Sequence, residues 1–267
     1  MHNNIDTLFE NLWQNYINVT PSANKVHQLL GEGDTLINDH VAFRTFNIEK
    51  VNLEKLSAHF LALGYEEKGQ YDFEQKKLKA KHFEHTDPTQ PKVFISELLV
   101  ESFSQDVQNI IHKMVDQVEA SAVTREDFLY SGAPWTVTTQ EYETLLEASE
   151  YAAWMAAWGY RANHFTVSVN HMKHFQELTA VNQALKDAGF TLNVSGGEIK
   201  GGEDVCLAQS STMADKVEVQ FANASKVIPS CFYEFAQRYA LPNGELYTGF
   251  VAASADKIFE STNTVAA

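Results

Sequence analysis

One order of elements occurs twice along this chain, and that repetition limits the fold more than any single motif. "INDHVAFRTF" (37–46) reads as a strand, "NLEKLSAHFLALGYEE" as a helix stopped at Gly64, and strand-like runs follow near 65–71, 77–84 and 92–100. "NHFTVSVNH" opens the same series downstream, with a helix over 171–188 stopped at Gly189 and strands near 190–195, 204–210 and 216–222. Fifty-two positions separate His40 from Lys92, and fifty-two separate His164 from Lys216. Self-similarity at a fixed offset predicts two equivalent βαβββ modules.

The segments around the repeat are helical. Ile5, Leu8, Phe9, Leu12 and Trp13 form one apolar stripe near the start, and 101–160 holds two further helical patterns broken by "SGAPW" at 131–135. We therefore expect an α+β fold in a single domain, 1–267. Module one covers about 36–100, a helical insert about 101–160, module two about 161–222 and a C-terminal extension about 223–267. The extension should carry a helix in "CFYEFAQRYA" and then a frayed tail of small polar residues.

With 35 acidic and 20 basic side chains, the net charge of −15 repels nucleic-acid backbones and anionic membranes. An anionic small substrate would then need local positive charge, so inward-facing arginines matter. Two cysteines, Cys206 and Cys231, make no disulfide framework and are expected as free thiols. "MHNNIDTLFENLWQ" has neither the basic nor the apolar region of a signal peptide, and no apolar run reaches the roughly 20 residues of a membrane span. A cytoplasmic protein is the expectation, with oligomeric state left open.

Alternation along the strands sorts their side chains into faces. On the first strand Val41, Phe43 and Thr45 share one face and His40, Ala42 and Arg44 the other; on the second, Phe165, Val167 and Val169 oppose His164, Thr166, Ser168 and Asn170. "KVEVQF" splits into Val217, Val219 and Phe221 against Glu218 and Gln220. A carboxylate facing a sheet-lined cavity is costly unless it is paired or bound to a cation. Two imidazoles and a carboxylate aimed at one cavity satisfy each other through a metal. Two His and one carboxylate with open positions favour non-haem Fe(II) and oxygen chemistry. His40, His164 and Glu218 are therefore the expected metal ligands. In the repeat register Phe94 stands at the position equivalent to the carboxylate, so the first module lacks its own acid.

Plainer roles compete at each position. A lone strand histidine is ordinarily a hydrogen-bonded structural residue, Glu218 could form a salt bridge with Arg44 or Arg161, and Arg44 could be a structural ion pair rather than a fork for a substrate carboxylate. Two histidines at repeat-equivalent positions with an inward acid favour the metal. His171 and His174 read as a solvated helix face. Of His82 and His85, which face opposite ways, His82 is better placed to line the cavity. "SGGEIKGGED" lacks the helix start and Lys-Ser/Thr of a phosphate loop and reads as a turn.

"DHVAFRTF", "KVFISEL", "AAWGYRANHFTVSVN" and "ADKVEVQF" resemble, in matching order, segments of the 2-oxoadipate dioxygenase/decarboxylase family. The resemblance implies a vicinal-oxygen-chelate-like curved sheet around a central cavity, with Fe(II) held by two histidines and a glutamate. Position by position it implies His40, His164 and Glu218 as ligands, with Arg44 and the two histidines at the substrate. The implied reaction turns 2-oxoadipate and O2 into 2-hydroxyglutarate and CO2, a step of lysine catabolism. The alternatives are a non-redox lyase, isomerase or hydrolase using Zn, Ni or Mn on the same scaffold, or a non-catalytic small-acid binding protein.

Overall fold

A single curved sheet of eight strands carries the repeat through the computed structural model, which describes residues 1–31, 33 and 35–263. In chain order the elements are α1 (Ile5–Val19), α2 (Pro21–Gly31), β1 (Asn38–Phe46), α3 (Leu53–Leu61), β2 (Tyr65–Phe73), β3 (Leu78–His85) and β4 (Lys92–Leu98). The helical insert supplies α4 (Gln105–Asp116), α5 (Thr139–Ala148) and α6 (Glu150–Trp158). The second half contains β5 (Ala162–Ser168), α7 (Leu178–Asp187), β6 (Lys200–Gly202), β7 (Leu207–Ser211), β8 (Lys216–Gln220), β9 (Ser225–Pro229), β10 (Phe232–Arg238) and α8 (Ala252–Ile258).

The sheet order β2-β3-β4-β1-β5-β10-β7-β6 is the same sequence of partners read outwards in both directions from the central pair. β1 and β4 are parallel, as are β5 and β10, and the halves join through antiparallel β1 and β5. Each half repeats local devices as well. Gly64 and Gly189 end α3 and α7 at φ +97° and +87°, a left-handed conformation that favours glycine. Lys77 and Cys206 each follow a short 3₁₀ turn with φ near +55°.

The second module differs from expectation in its last strand. Lys216–Gln220 form a strand, but this β8 pairs only with β9 in a separate hairpin, and the sheet position parallel to β5 is filled by β10. "CFYEFAQRYA" is therefore a central strand and not a helix. Every residue from Phe232 to Arg238 is buried, so both faces are covered and the two-residue alternation that marks a strand is blurred by aromatics on both sides. The extension beyond 223 thus completes the second module. Its tail is not frayed through 263 either: α8 and a 3₁₀ turn over Phe259–Thr262 pack down with Ile258, Phe259, Ser261 and Thr262 buried. Residues 264–267 of the expected frayed tail lie outside the described residues.

The outer sheet face packs against helices through the apolar sets read from the strands. Phe165 meets Trp13 of α1 edge-on at 5.2 Å, and Phe43 meets Phe60 of α3 at 5.4 Å. The inner face is left to His40, Ala42, Arg44, His164 and Thr166, with α8 across it. Both cysteines are free, and no helix among the described residues is long and apolar enough to cross a membrane.

Candidate metal centre

Strand pairing brings the two histidines together. Ala42 faces His164 across β1 and β5 while His40 faces Thr166, so the imidazoles lie diagonally on adjacent strands with ring centres 5.7 Å apart. Thr166 in turn faces Glu234 on β10. Ligand atoms of His40, His164 and Glu234 all lie within 4.8 Å of one another, and all three residues are buried. Nε2 of His164 is 3.0 Å from Glu234 Oε2, and Nε2 of His40 is 3.6 Å from Oε1.

The carboxylate is Glu234 and not Glu218. Glu218 is exposed on the outlying hairpin, on a strand that does not pair with the main sheet. Its alternating pattern is that of any two-stranded ribbon with one covered face. The reading of Phe94 stands with the corrected partner: Phe94 faces Ala42, two residues after His40, as Glu234 faces Thr166, two residues after His164. A glutamate inside the otherwise apolar run "CFYEFA" was the available signal, since an acid is rarely fully buried without a partner.

Each imidazole is oriented by the residue before it. His40 Nδ1 is 2.7 Å from Asp39 Oδ1, and His164 Nδ1 is 3.0 Å from Asn163 Oδ1. These acceptors favour the Nδ1–H tautomer, leaving each Nε2 as the acceptor on the cluster side, as ligating histidines require; His40 Nε2 meets the Thr166 hydroxyl there at 3.0 Å, a contact that a bound metal would replace. Burial pushes His164 below the ordinary imidazole value, opposed by Glu234, which keeps the ring neutral and able to ligate. Gln209 of β7 donates to Glu234 Oε1 at 2.6 Å. Oε2 has no aligned hydrogen-bond donor, although it is buried. A buried carboxylate with an oxygen lacking an aligned donor, facing two imidazoles, is electrostatically incomplete without a cation. The donor set therefore fits a divalent metal.

His40, His164 and Glu234 share a small cavity of about 20 Å³ with Phe94, Gln209, Phe250, Ala255, Ile258 and Phe259. Arg44 lies on the same strand face but outside this lining. Its guanidinium donates to Glu150 Oε1 and Thr262 Oγ1, both at 3.1 Å, and packs on the rings of Tyr151, Trp154 and Phe259. Phe259 thus borders both the cavity and Arg44. His82 is bonded to Tyr71 and Glu84 and meets Phe250 at 5.2 Å, behind the cavity wall.

Two mirrored βαβββ halves around a buried pair of histidines and a glutamate define a vicinal-oxygen-chelate-like scaffold with a candidate metal site. The family model for 2-oxoadipate dioxygenase/decarboxylase matches residues 3–247, and the chain belongs to that family. The chain is 37% identical over 278 residues to the chloroplastic 2-oxoadipate dioxygenase/decarboxylase of Arabidopsis thaliana, spanning 92% of this chain and 74% of that protein. The hydroxyglutarate synthase of Oryza sativa, solved in complex with 2-oxoadipate, is 33% identical with a TM-score of 0.87, over 97% of this chain and 91% of that one. A crystal structure from Shewanella frigidimarina NCIMB 400, described as a candidate hydrolase, is 62% identical with a TM-score of 0.92, over 95% of this chain and 100% of that one.

Proposed function

We propose that this chain is a cytoplasmic, Fe(II)-dependent enzyme that converts 2-oxoadipate and O2 into 2-hydroxyglutarate and CO2. The observation that carries the reading is the convergence of His40 Nε2, His164 Nε2 and the unbonded Glu234 Oε2 on one buried point, in a member of this family. His40, His164 and Glu234 would hold the metal. Iron held there would supply a Lewis acid for the keto and carboxylate oxygens of the 2-oxo acid and the redox chemistry that O2 needs.

The chain's own residues supply binding, orientation and dryness. Gln209 holds one oxygen of Glu234, so the other is presented to the cluster. Phe94, Phe250, Ile258 and Phe259 give an apolar wall suited to the methylene chain of the acid and exclude water from it. Arg44 supplies a planar cation for a substrate carboxylate in a protein whose overall charge repels anions. To do so it must exchange its contacts with Glu150 and Thr262 for that carboxylate. The cavity is far below the roughly 300 Å³ at which ligand sites begin. Entry of the acid would need part of this wall to give way, and displacement of Phe259, which borders both, would join the cavity to Arg44.

The candidate-hydrolase description of the Shewanella protein favours a second reading, non-redox chemistry with zinc as Lewis acid. Anaerobic loading with Fe(II), followed by oxygen uptake on a series of 2-oxo acids of increasing length, separates the two. Uptake that peaks at 2-oxoadipate supports the proposal. A zinc-loaded protein that turns over its substrate, with no oxygen uptake by the iron form on any 2-oxo acid, overturns it.

A further inference from the structure

Behind the cluster, on the side of His40 away from the cavity, Asp39 and Arg238 form a buried ion pair in which both side chains are about 4% exposed. Arg238 Nε and Nη2 donate to the two Asp39 oxygens at 2.7 and 2.9 Å. Asp39 Oδ1 also accepts from His40 Nδ1. Burial pushes the Asp39 carboxyl up, but Arg238 and the His40 ring outweigh it and hold the group far below its usual range. Arg238 Nη1 additionally donates to the carbonyls of Tyr247 and Gly249 at 3.0 and 2.8 Å, and its guanidinium lies 5.3 Å from the ring of Phe250. Phe250 stands edge-on to His40 at 4.8 Å and walls the cavity. One arginine therefore grips both the carboxylate that orients a candidate ligand and the loop that covers it.

Stability alone does not account for this pair. Replacing a buried ion pair with apolar groups of similar shape is often neutral or stabilising, so retaining one calls for another role. The second half of the repeat supplies the comparison. The residue before His164 is Asn163, a neutral amide whose Nδ2 has no partner, and no arginine completes it. The two imidazoles are thus backed asymmetrically, His40 by a carboxylate and His164 by an amide.

We propose that Asp39 and Arg238 are positioning residues: Asp39 fixes the tautomer and orientation of the His40 ring, while Arg238 couples it to the Tyr247–Phe250 wall. The proposal rests on the metal-centre reading above. A carboxylate behind a ligating imidazole strengthens its donation, and loss of such a partner typically weakens metal binding about 10–100-fold.

The test is Co(II) affinity, read from its d–d absorption during titration against a competing chelator, in the wild type, in D39N and in D39N/R238Q. The double variant leaves no buried charge unpaired. Both variants should bind Co(II) about ten-fold or more weakly at near-native melting temperature, with a shifted absorption band. Wild-type affinity and band shape in D39N/R238Q would overturn the proposal, and so would failure of both variants to fold, which would make the pair structural. A wild-type protein that takes up no metal would instead defeat the metal-centre reading, so the two failures are distinguishable.

Discussion

Glu234 Oε2 lies 3.0 Å from His164 Nε2, yet no donor is aligned to it as a hydrogen bond. An oxygen without an aligned donor beside two imidazole nitrogens is what a metal ligand would present. Glu234→Gln should therefore cost more metal affinity than the roughly 10–100-fold loss expected of a supporting residue. Glu218→Gln, out in solvent, should leave metal content unchanged. Iron per chain after anaerobic loading and gel filtration checks both.

Arg44 should act on substrate and not on metal. Arg44→Lys keeps the charge but loses the planar fork, so KM for 2-oxoadipate should rise about ten-fold, equivalent to about 1.4 kcal/mol, with iron content unchanged. Steady-state oxygen uptake with parallel metal analysis measures the split. An unchanged KM would return Arg44 to a structural partner of Glu150 and Thr262.

Phe259 separates the cavity from Arg44, and its removal should be felt twice. Phe259→Ala should destabilise the fold on the order of 3 kcal/mol, as buried aromatic deletions do. It should also increase turnover of 2-oxo diacids longer than 2-oxoadipate relative to 2-oxoadipate itself. Denaturant melts and relative kcat/KM values across the acid series report the two effects.

How much of this was legible in the chain depends on which residue types share each strand face, since β1, β5 and β10 are all buried. His40 and His164 stood out because β1 and β5 carry apolar residues on one face and polar ones on the other. The repeat placed them at equivalent positions of the two modules, and the pairing of β1 with β5 supplied their register. Glu234 was hidden by two features. The β8–β9 hairpin inserts an alternating strand at the expected offset, and β10 is covered on both faces, so its aromatics mask the period. Asp39 and Arg238 lie 199 residues apart, and no local pattern announces such a pair.

Lys200 gives a pH signature that can be read in the metal-free protein. Burial, opposed by Glu234, pushes its ammonium from 10.5 down to about 8. Between those values the unfolded chain holds a proton that the folded chain has released, so this group's contribution to stability rises with pH across that window. Relative to Lys200→Met, the wild type should gain in melting temperature from pH 8 to pH 10. Scans of both proteins in chelator test it, and a gap independent of pH would contradict the assignment.

The central claim is oxygen-dependent decarboxylation of 2-oxoadipate by iron held on His40, His164 and Glu234. The most direct test supplies ¹⁸O2 to the iron-loaded protein with 2-oxoadipate and follows label, CO2 and oxygen together. The account predicts labelled 2-hydroxyglutarate, with one CO2 released for each O2 consumed. Product that forms without label or oxygen consumption, or equally well with zinc in place of iron, would contradict it.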